Sequence, residues 1–196
     1  METIIYFVRH AESIYVEGEE RTRRLSTQGT NDAETIKEIL KSEEIDLFIS
    51  SPYGRAIDTI RLTALLHQKD ILIEEDLRER MIGDFAPATF AEAKKRVYEE
   101  CQFAFPNGES SIVAQQRASN VIERILDAHK GKKIVIGTHG DIMTLMLNNF
   151  DKRFGYNFWL STSMPDIYKA GFKGSELIEV IRMWKHQEKK VGTSAN

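Results

Sequence analysis

The chain reads as a three-layer α/β/α sandwich built on a mostly parallel central sheet with an antiparallel edge. Three observations predict this. Short apolar runs alternate with segments of helical periodicity, the pattern of crossover units. The runs at residues 4–8 and 134–136 are unbroken rather than alternating, as expected of strands covered on both faces. Near the end, two apolar segments flank Lys173-Gly174, a hairpin signal that supplies the edge.

Residues 4–8 form the first strand, which ends at Arg9 and His10, and a polar segment then runs to Leu25. Ser26 can cap a helix over 27–42 whose Ala33, Ile36, Ile39 and Leu40 share one face. Residues 45–49 make a second strand ending in Ser50-Ser51-Pro52, where Ser51 suits an N-cap and Pro52 a first helical position. The helix that follows turns Ala56, Ile57, Ile60, Ala64 and Leu65 inward, ends near His67 and carries Arg55 in its first turn. Residues 71–74 read as a third strand, and 77–85, which lack periodicity, as a loop. A helix over 89–103 presents Lys94, Lys95 and Arg96 to solvent. Pro106-Asn107-Gly108 breaks the chain, and Ser110 or Ser111 opens a helix that runs to about Lys130. Residues 133–137 are the clearest strand, followed by Thr138-His139-Gly140 and a helix over 141–149. Strands over 166–172 and 177–183 complete the sheet. One domain is expected over 1–187, with 77–110 as its lid or substrate segment and 188–196 as a polar, mobile tail.

A chain of 196 residues, 41% apolar and 29% charged, can bury one sizeable core and has ordinary globular composition. Its net charge of −3 gives no electrostatic footprint for nucleic acid. Arg21, Arg23 and Arg24 form a basic cluster, but Glu17, Glu19 and Glu20 sit beside it, and the segment reads as a solvated loop. No apolar stretch is long enough for a membrane span and no signal core precedes the first strand, so no membrane partner and a cytoplasmic location are expected. The single cysteine, Cys101, excludes an internal disulfide and reads as a packing residue. The five histidines lack ligand spacing, so no metal is expected, and there is neither a Walker loop nor a Gly-x-Gly-x-x-Gly run.

Parallel strands bring their carboxyl ends to one edge, where ligands of such sheets bind. Arg9 and His10 follow one strand, Arg55 opens the helix after another, and His139 follows a third. Two arginines suit a phosphoryl group, to which each can donate bidentately. A helix starting near Pro52 would add backbone donors. A neutral imidazole held at one nitrogen is a competent nucleophile through the other.

The segment Val8-Arg9-His10-Ala11-Glu12-Ser13 resembles the signature of the histidine phosphatase superfamily, which includes the cofactor-dependent phosphoglycerate mutases. The resemblance continues in order through Leu25-Ser26-x-x-Gly29, Ser50-Ser51-Pro52 with Arg55-Ala56, and Leu77-x-Glu79 with Gly83 and Phe85. Pro106-x-Gly108-Glu109-Ser110 and Thr138-His139-Gly140 follow, and Phe158-Trp159 is a weaker echo. It implies a phosphoglycerate mutase-like fold in which His10 is transiently phosphorylated and Arg9, Arg55 and His139 bind the phosphoryl group, with Ser13 and Gly140 in the same binding set. Glu79 would protonate the leaving oxygen and then deprotonate water; its plainer alternative is a surface carboxylate paired with Arg78 or Arg80. Ala11 stands where the family has glycine, Val16 where many members have a phosphate-contacting asparagine, and Ala86-Pro87 where an acidic-glycine pair is usual. His67, His129 and His186 match nothing and read as solvated or capping.

The expected function is metal-independent hydrolysis of a small phosphorylated metabolite, with no cofactor; a homodimer is compatible with this. A phosphoglycerate mutase is the nearest alternative, although the chain is short for that branch. A phosphate-binding module with weak turnover is the alternative from another class.

Overall fold

The computed structural model describes residues 1–185. Its strands are β1 (Glu2–Arg9), β2 (Leu47–Ser50), β3 (Ile71–Ile73), β4 (Lys133–Thr138), β5 (Asp166–Lys173) and β6 (Glu176–Arg182). They form one sheet in the order β3-β2-β4-β1-β5-β6. The pairs β1–β4, β2–β4 and β2–β3 are parallel, while β5 runs antiparallel to β1 and β6 antiparallel to β5. The helices are α1 (Thr27–Leu40), α2 (Gly54–Leu66), α3 (Phe90–Glu99), α4 (Ser111–Ala128), α5 (Gly140–Phe150) and α6 (Tyr156–Ser161).

The unbroken apolar runs are explained by two cores, one on each face of the sheet. Ile5, Phe7, Ile134 and Ile136 pack with residues of α4 and α5 such as Ile122, Leu126 and Met146. The intervening Tyr6, Val8 and Val135 face the other way, with Phe48 and with Ile36, Leu40 and Ile60 of α1 and α2. Each large side chain buried in this way contributes roughly 1.5–3 kcal/mol. The helix starts follow their capping residues: the Ser26 hydroxyl accepts from Gly29 N at 3.0 Å, Thr89 and Glu92 form a capping box, and Ser110 accepts from Val113 N.

Several expectations are corrected. Helix α2 starts at Gly54 with Tyr53 as its N-cap; the Ser51 hydroxyl lies 2.7 Å from His139 Nε2 and accepts from Tyr53 N at 3.3 Å, outside the helix. Leu65 is exposed rather than inward. Helix α3 stops at Glu99, and Lys94 is buried while Lys95 and Arg96 face solvent, because Asp141 of α5 draws the Lys94 ammonium inward. Cys101 is exposed and so is not a packing residue. Arg23 is mostly covered, unlike the exposed Arg21 and Arg24 of the same loop. Helix α6 had no counterpart in the sequence reading. The expected tail at 188–196, the last residues of the 1–187 domain and His186 lie outside the described residues.

Among the described residues no helix is long and apolar enough to cross a membrane, and no three His, Cys, Asp or Glu side chains gather as a metal-binding group.

Candidate active site

Strands β1, β2 and β4 end side by side, with Arg9 opposite Thr138 and Ser50 opposite Gly137. Their backbone ties continue one residue further: His10 N donates to the Thr138 carbonyl and Ser51 N to the Gly137 carbonyl, each at 2.9 Å. The first residues beyond the three strands, His10, Ser51 and His139, are thereby fixed to one another by main chain before any side chain is considered.

The His10 ring is 7% exposed, with Nδ1 2.8 Å from the Ala11 carbonyl. A carbonyl only accepts, so Nδ1 carries the hydrogen and Nε2 keeps its lone pair. Arg55 confirms this tautomer by donating from Nε to His10 Nε2 at 3.2 Å. Burial, then the Arg55 cation, pulls the His10 pKa down to about 3, so the ring is neutral at physiological pH. His139 is fully buried, stands edge-on to His10 with ring centroids 5.2 Å apart, and meets the Ser51 hydroxyl at 2.7 Å through Nε2. Burial, followed by His10 and Arg55, holds its pKa well below the ordinary value. Its Nδ1 is buried without a hydrogen-bond partner.

Arg9 reaches over the start of α5 and donates to the Thr162 hydroxyl at 2.5 Å, at the end of α6. Its guanidinium lies flat against Gly140: a Cβ there would stand 2.7 Å from Arg9 Cζ and 2.8 Å from Nε. Any side chain at 140 would therefore force the Arg9 guanidinium to shift. Burial lowers the Arg9 pKa, against the raising effect of Glu79, Asp166 and Asp141, but a guanidinium stays charged in proteins.

Glu79 neither floats on the surface nor pairs with the Arg78 or Arg80 side chains. Oε1 accepts from the backbone N–H groups of Arg80 and Ile142, each at 2.9 Å, and Oε2 from that of Asp141 at 3.2 Å. It thus caps the first turn of α5, one residue beyond His139 and Gly140. A carboxylate offers about four lone-pair sites. Three are taken, and the one left for proton exchange is on Oε2. Next to it, the Arg80 side chain turns inward to Asp141, with Nε donating at 2.7 Å, and Lys94 and the Tyr98 hydroxyl bond the same carboxylate. A cavity of about 540 Å³ opens beside Glu79, lined among others by Arg21, Tyr53, Arg78, Gln102 and Val113.

The structure therefore gathers Arg9, His10, Arg55, Glu79, His139 and Gly140. Ser13 stands apart: it forms a backbone bridge to Leu25, and among the described residues its hydroxyl enters none of the hydrogen bonds that link the others. At the α2 start, Gly54 N is already engaged, donating to the Arg21 carbonyl at 2.7 Å. Ser51, Tyr53, Glu20, Arg23 and Asp141 contact the site although sequence reasoning assigned them no role there. Ser51 was legible only as a cap, and the charges of Glu20 and Arg23 looked like those of any solvated loop.

The fold and these contacts define an α/β protein that gathers two buried histidines, the buried Arg55 and the partly buried Arg9 at the carboxyl edge of its sheet. The chain belongs to the histidine phosphatase superfamily (branch 1), whose family model matches residues 5–166. It is 33% identical over 131 residues to phosphoglycerate mutase-like protein 4 of Arabidopsis thaliana, a match covering 61% of this chain and 56% of the relative. To a metal-independent phosphoserine phosphatase of the same plant it is 27% identical over 157 residues, covering 72% of this chain and 66% of that one. The chain thus spans less than two thirds of either relative. Among solved structures, mycobacterial glucosyl-3-phosphoglycerate phosphatase superposes with a TM-score of 0.72 at 19% identity, covering 93% of this chain and 97% of its own. That likeness is one of fold.

Proposed function

We propose that the protein is a metal-independent phosphatase that hydrolyses a small phosphorylated substrate through a phosphohistidine on His10. The observation that carries this reading is the state of the His10 ring: neutral, oriented by the Ala11 carbonyl, with its Nε2 lone pair facing Arg55. A substrate phosphoryl group entering between Arg9, Arg55 and His139 takes over the Arg55 donor and exposes phosphorus to Nε2. The Nε2–P bond forms as the P–O bond to the alcohol breaks, and the departing oxygen takes a proton from Glu79 Oε2. Water then yields a proton to Glu79 and attacks phosphorus, the N–P bond breaks, and phosphate leaves with His10 neutral again. The guanidinium groups supply the positive charge for the phosphoryl oxygens throughout.

The cavity beside Glu79 suits the alcohol portion, and its mixture of arginines, carboxylates and the Tyr53 ring favours a small polar alcohol. The resemblance to a relative named as a metal-independent phosphoserine phosphatase supports the same class. Retention of the phosphoryl group for transfer, as in a mutase, would appear as exchange between 3-phosphoglycerate and 2-phosphoglycerate rather than phosphate release.

The test uses leaving groups. A positioned acid contributes about 10² to 10⁴ in rate and matters most for a poor leaving group. Glu79→Gln should slow phosphorylation of His10 by an alkyl phosphate far more than by p-nitrophenyl phosphate, as read by rapid-quench trapping of an acid-labile phosphoprotein. Equal slowing with both esters removes Glu79 from the role of acid, and failure to trap any phosphoprotein on His10 removes the mechanism.

A further inference from the structure

The Arg55 guanidinium has no nitrogen free for a substrate. Nε donates to His10, NH1 to the Glu20 carbonyl at 2.7 Å and NH2 to Glu20 Oε1 at 2.7 Å, and the side chain is 2% exposed. The same carboxylate oxygen accepts from Arg23 NH2 at 3.3 Å. Arg23 is not a loose surface cation: its side chain is 15% exposed and its Nε is buried without a hydrogen-bond partner. Its charge reaches the site, being among those that depress the pKa of His10, of His139 and of Arg55.

The loop that carries these residues has a built seat. Arg23 N and Thr22 N both donate to the Glu19 carbonyl, and the loop lies across the first residue of α2. A Cβ on Gly54 would come within 3.1 Å of the Thr22 carbonyl oxygen and 3.3 Å of that of Arg23, so glycine lets the loop lie this close.

We propose that Arg23 is a further phosphoryl-binding residue, and that Glu20 is the internal anion that Arg23 and Arg55 hold until the substrate's phosphoryl group takes its place. The inference rests on the phosphatase reading above for the identity of the incoming group. Guanidinium forks bind carboxylate and phosphate with the same geometry, so two of them on one carboxylate oxygen form a ready site for a phosphoryl oxygen. Glu20 relieves the repulsion of two covered cations, which would otherwise face each other unpaired. A phosphoryl dianion brings more charge and more acceptor oxygens, including one for the unpartnered Arg23 Nε. The Glu20 side chain is 51% exposed, and on release its carboxylate is readily hydrated. Glu20 thereby sets how strongly an anion must bind in order to enter.

The experiment is calorimetric titration of inorganic phosphate into the wild type, Glu20→Gln, Arg23→Gln and Arg23→Lys, with thermal melts of each protein without phosphate. Hydrogen bonds to charged groups correspond to roughly ten- to hundred-fold in an equilibrium constant. Glu20→Gln should therefore bind phosphate about ten-fold or more tightly than the wild type, Arg23→Gln about ten-fold more weakly, and Arg23→Lys in between. If Glu20 merely orients Arg55, Glu20→Gln weakens phosphate binding instead, and that sign overturns the inference. Unchanged affinity in a folded Arg23→Gln or Arg23→Lys overturns it as well; should neither fold, the sign in Glu20→Gln decides. Since binding is read without turnover, these shifts in a protein that hydrolyses no ester would refute the phosphatase reading alone. Ester hydrolysis with unshifted phosphate affinities would refute the inference alone.

Discussion

Replacing Asp141 by asparagine removes the carboxylate around which Arg80, Lys94 and Tyr98 are gathered. Arg80 lies 2.6 Å from it through NH2, Lys94 Nζ bonds the same oxygen, and the Tyr98 hydroxyl donates to the other at 2.6 Å. Arg80, Lys94 and Asp141 side chains are 0%, 6% and 1% exposed. Burial alone would raise the Asp141 carboxyl pKa, but the Lys94 and Arg80 cations outweigh it and hold the group ionised below its ordinary range. Asp141→Asn leaves two buried cations uncompensated, a change that costs about 3–5 kcal/mol. At about 2–4 °C per kcal/mol for a chain of this size, the melting temperature should fall by roughly 6–20 °C. Lys94→Met replaces the ammonium that stands near the Phe90 and Trp159 rings with an apolar group and leaves Asp141 paired one-to-one with Arg80; it should cost no more than about 1 kcal/mol. Adding Lys94→Met to Asp141→Asn should then recover about 1–2 kcal/mol, measured by urea unfolding followed by far-ultraviolet circular dichroism. An Asp141→Asn loss under about 1 kcal/mol, or a double variant that loses the sum of the single ones, would refute the account.

Two further predictions concern the histidines and Gly140. The unfolded chain protonates His10 near its ordinary pKa of 6.5, whereas the folded chain does so only near 3, so between these values the unfolded state binds more protons and stability must fall as pH falls. Each such group contributes a slope of about 1.4 kcal/mol per pH unit; urea unfolding between about pH 4.5 and 5.5 should show that much less slope in His10→Asn than in the wild type, and equal slopes would contradict the buried neutral ring. Gly140→Ala should gain up to about 1 kcal/mol of helix propensity yet drive a methyl group into the Arg9 guanidinium, so KM for p-nitrophenyl phosphate should rise roughly ten-fold or more through lost charge-assisted bonds; an unchanged KM would show that Arg9 needs no close approach there.

What was legible in the sequence were features that local chemistry decides. The unbroken run through Phe7 and Val8 announced a strand covered on both faces, and the helix starts expected at Ser26 and at Ser110 or Ser111 are met by caps at Ser26 and Ser110. Arg9, His10, Arg55 and His139 were legible because parallel strands must end at one edge. What was not legible depends on partners far along the chain. Nothing near Lys94 distinguishes it from Lys95 and Arg96; it turns inward because Asp141, forty-seven residues later, arrives on that side of α3. Ser51 met every local criterion for a cap, but helix α2 begins later, at Gly54, and the Ser51 hydroxyl meets the distant His139 at 2.7 Å as well as Tyr53 N. Glu20 and Arg23 sit in a densely charged run whose plainest reading is solvent, and only the crossing of that loop over Gly54 covers Arg23 and sets the still half-exposed Glu20 against Arg55.

The buried Asp141 network and the candidate acid are parts of one device. Glu79 and Arg80 are neighbours in the chain and grip the first turn of α5 from two sides. The Glu79 carboxylate accepts the free N–H groups of Asp141 and Ile142, while the Arg80 guanidinium pairs with the Asp141 side chain beneath them. The helix they hold is the one that begins at Gly140, directly after His139 and against Arg9. Through Lys94 and Tyr98, helix α3 is tied to the same carboxylate. A rotation of Glu79 away from the pocket would therefore strip two N-terminal amides of their acceptor and strain an ion pair that has no water to replace it. The group proposed to exchange protons with substrate is thus held at a fixed height above His139 by the helix terminus itself. Segment 77–110, expected to be the lid or substrate segment, contributes Arg80, Lys94 and Tyr98 to this network and the exposed Met81 to the wall of the cavity.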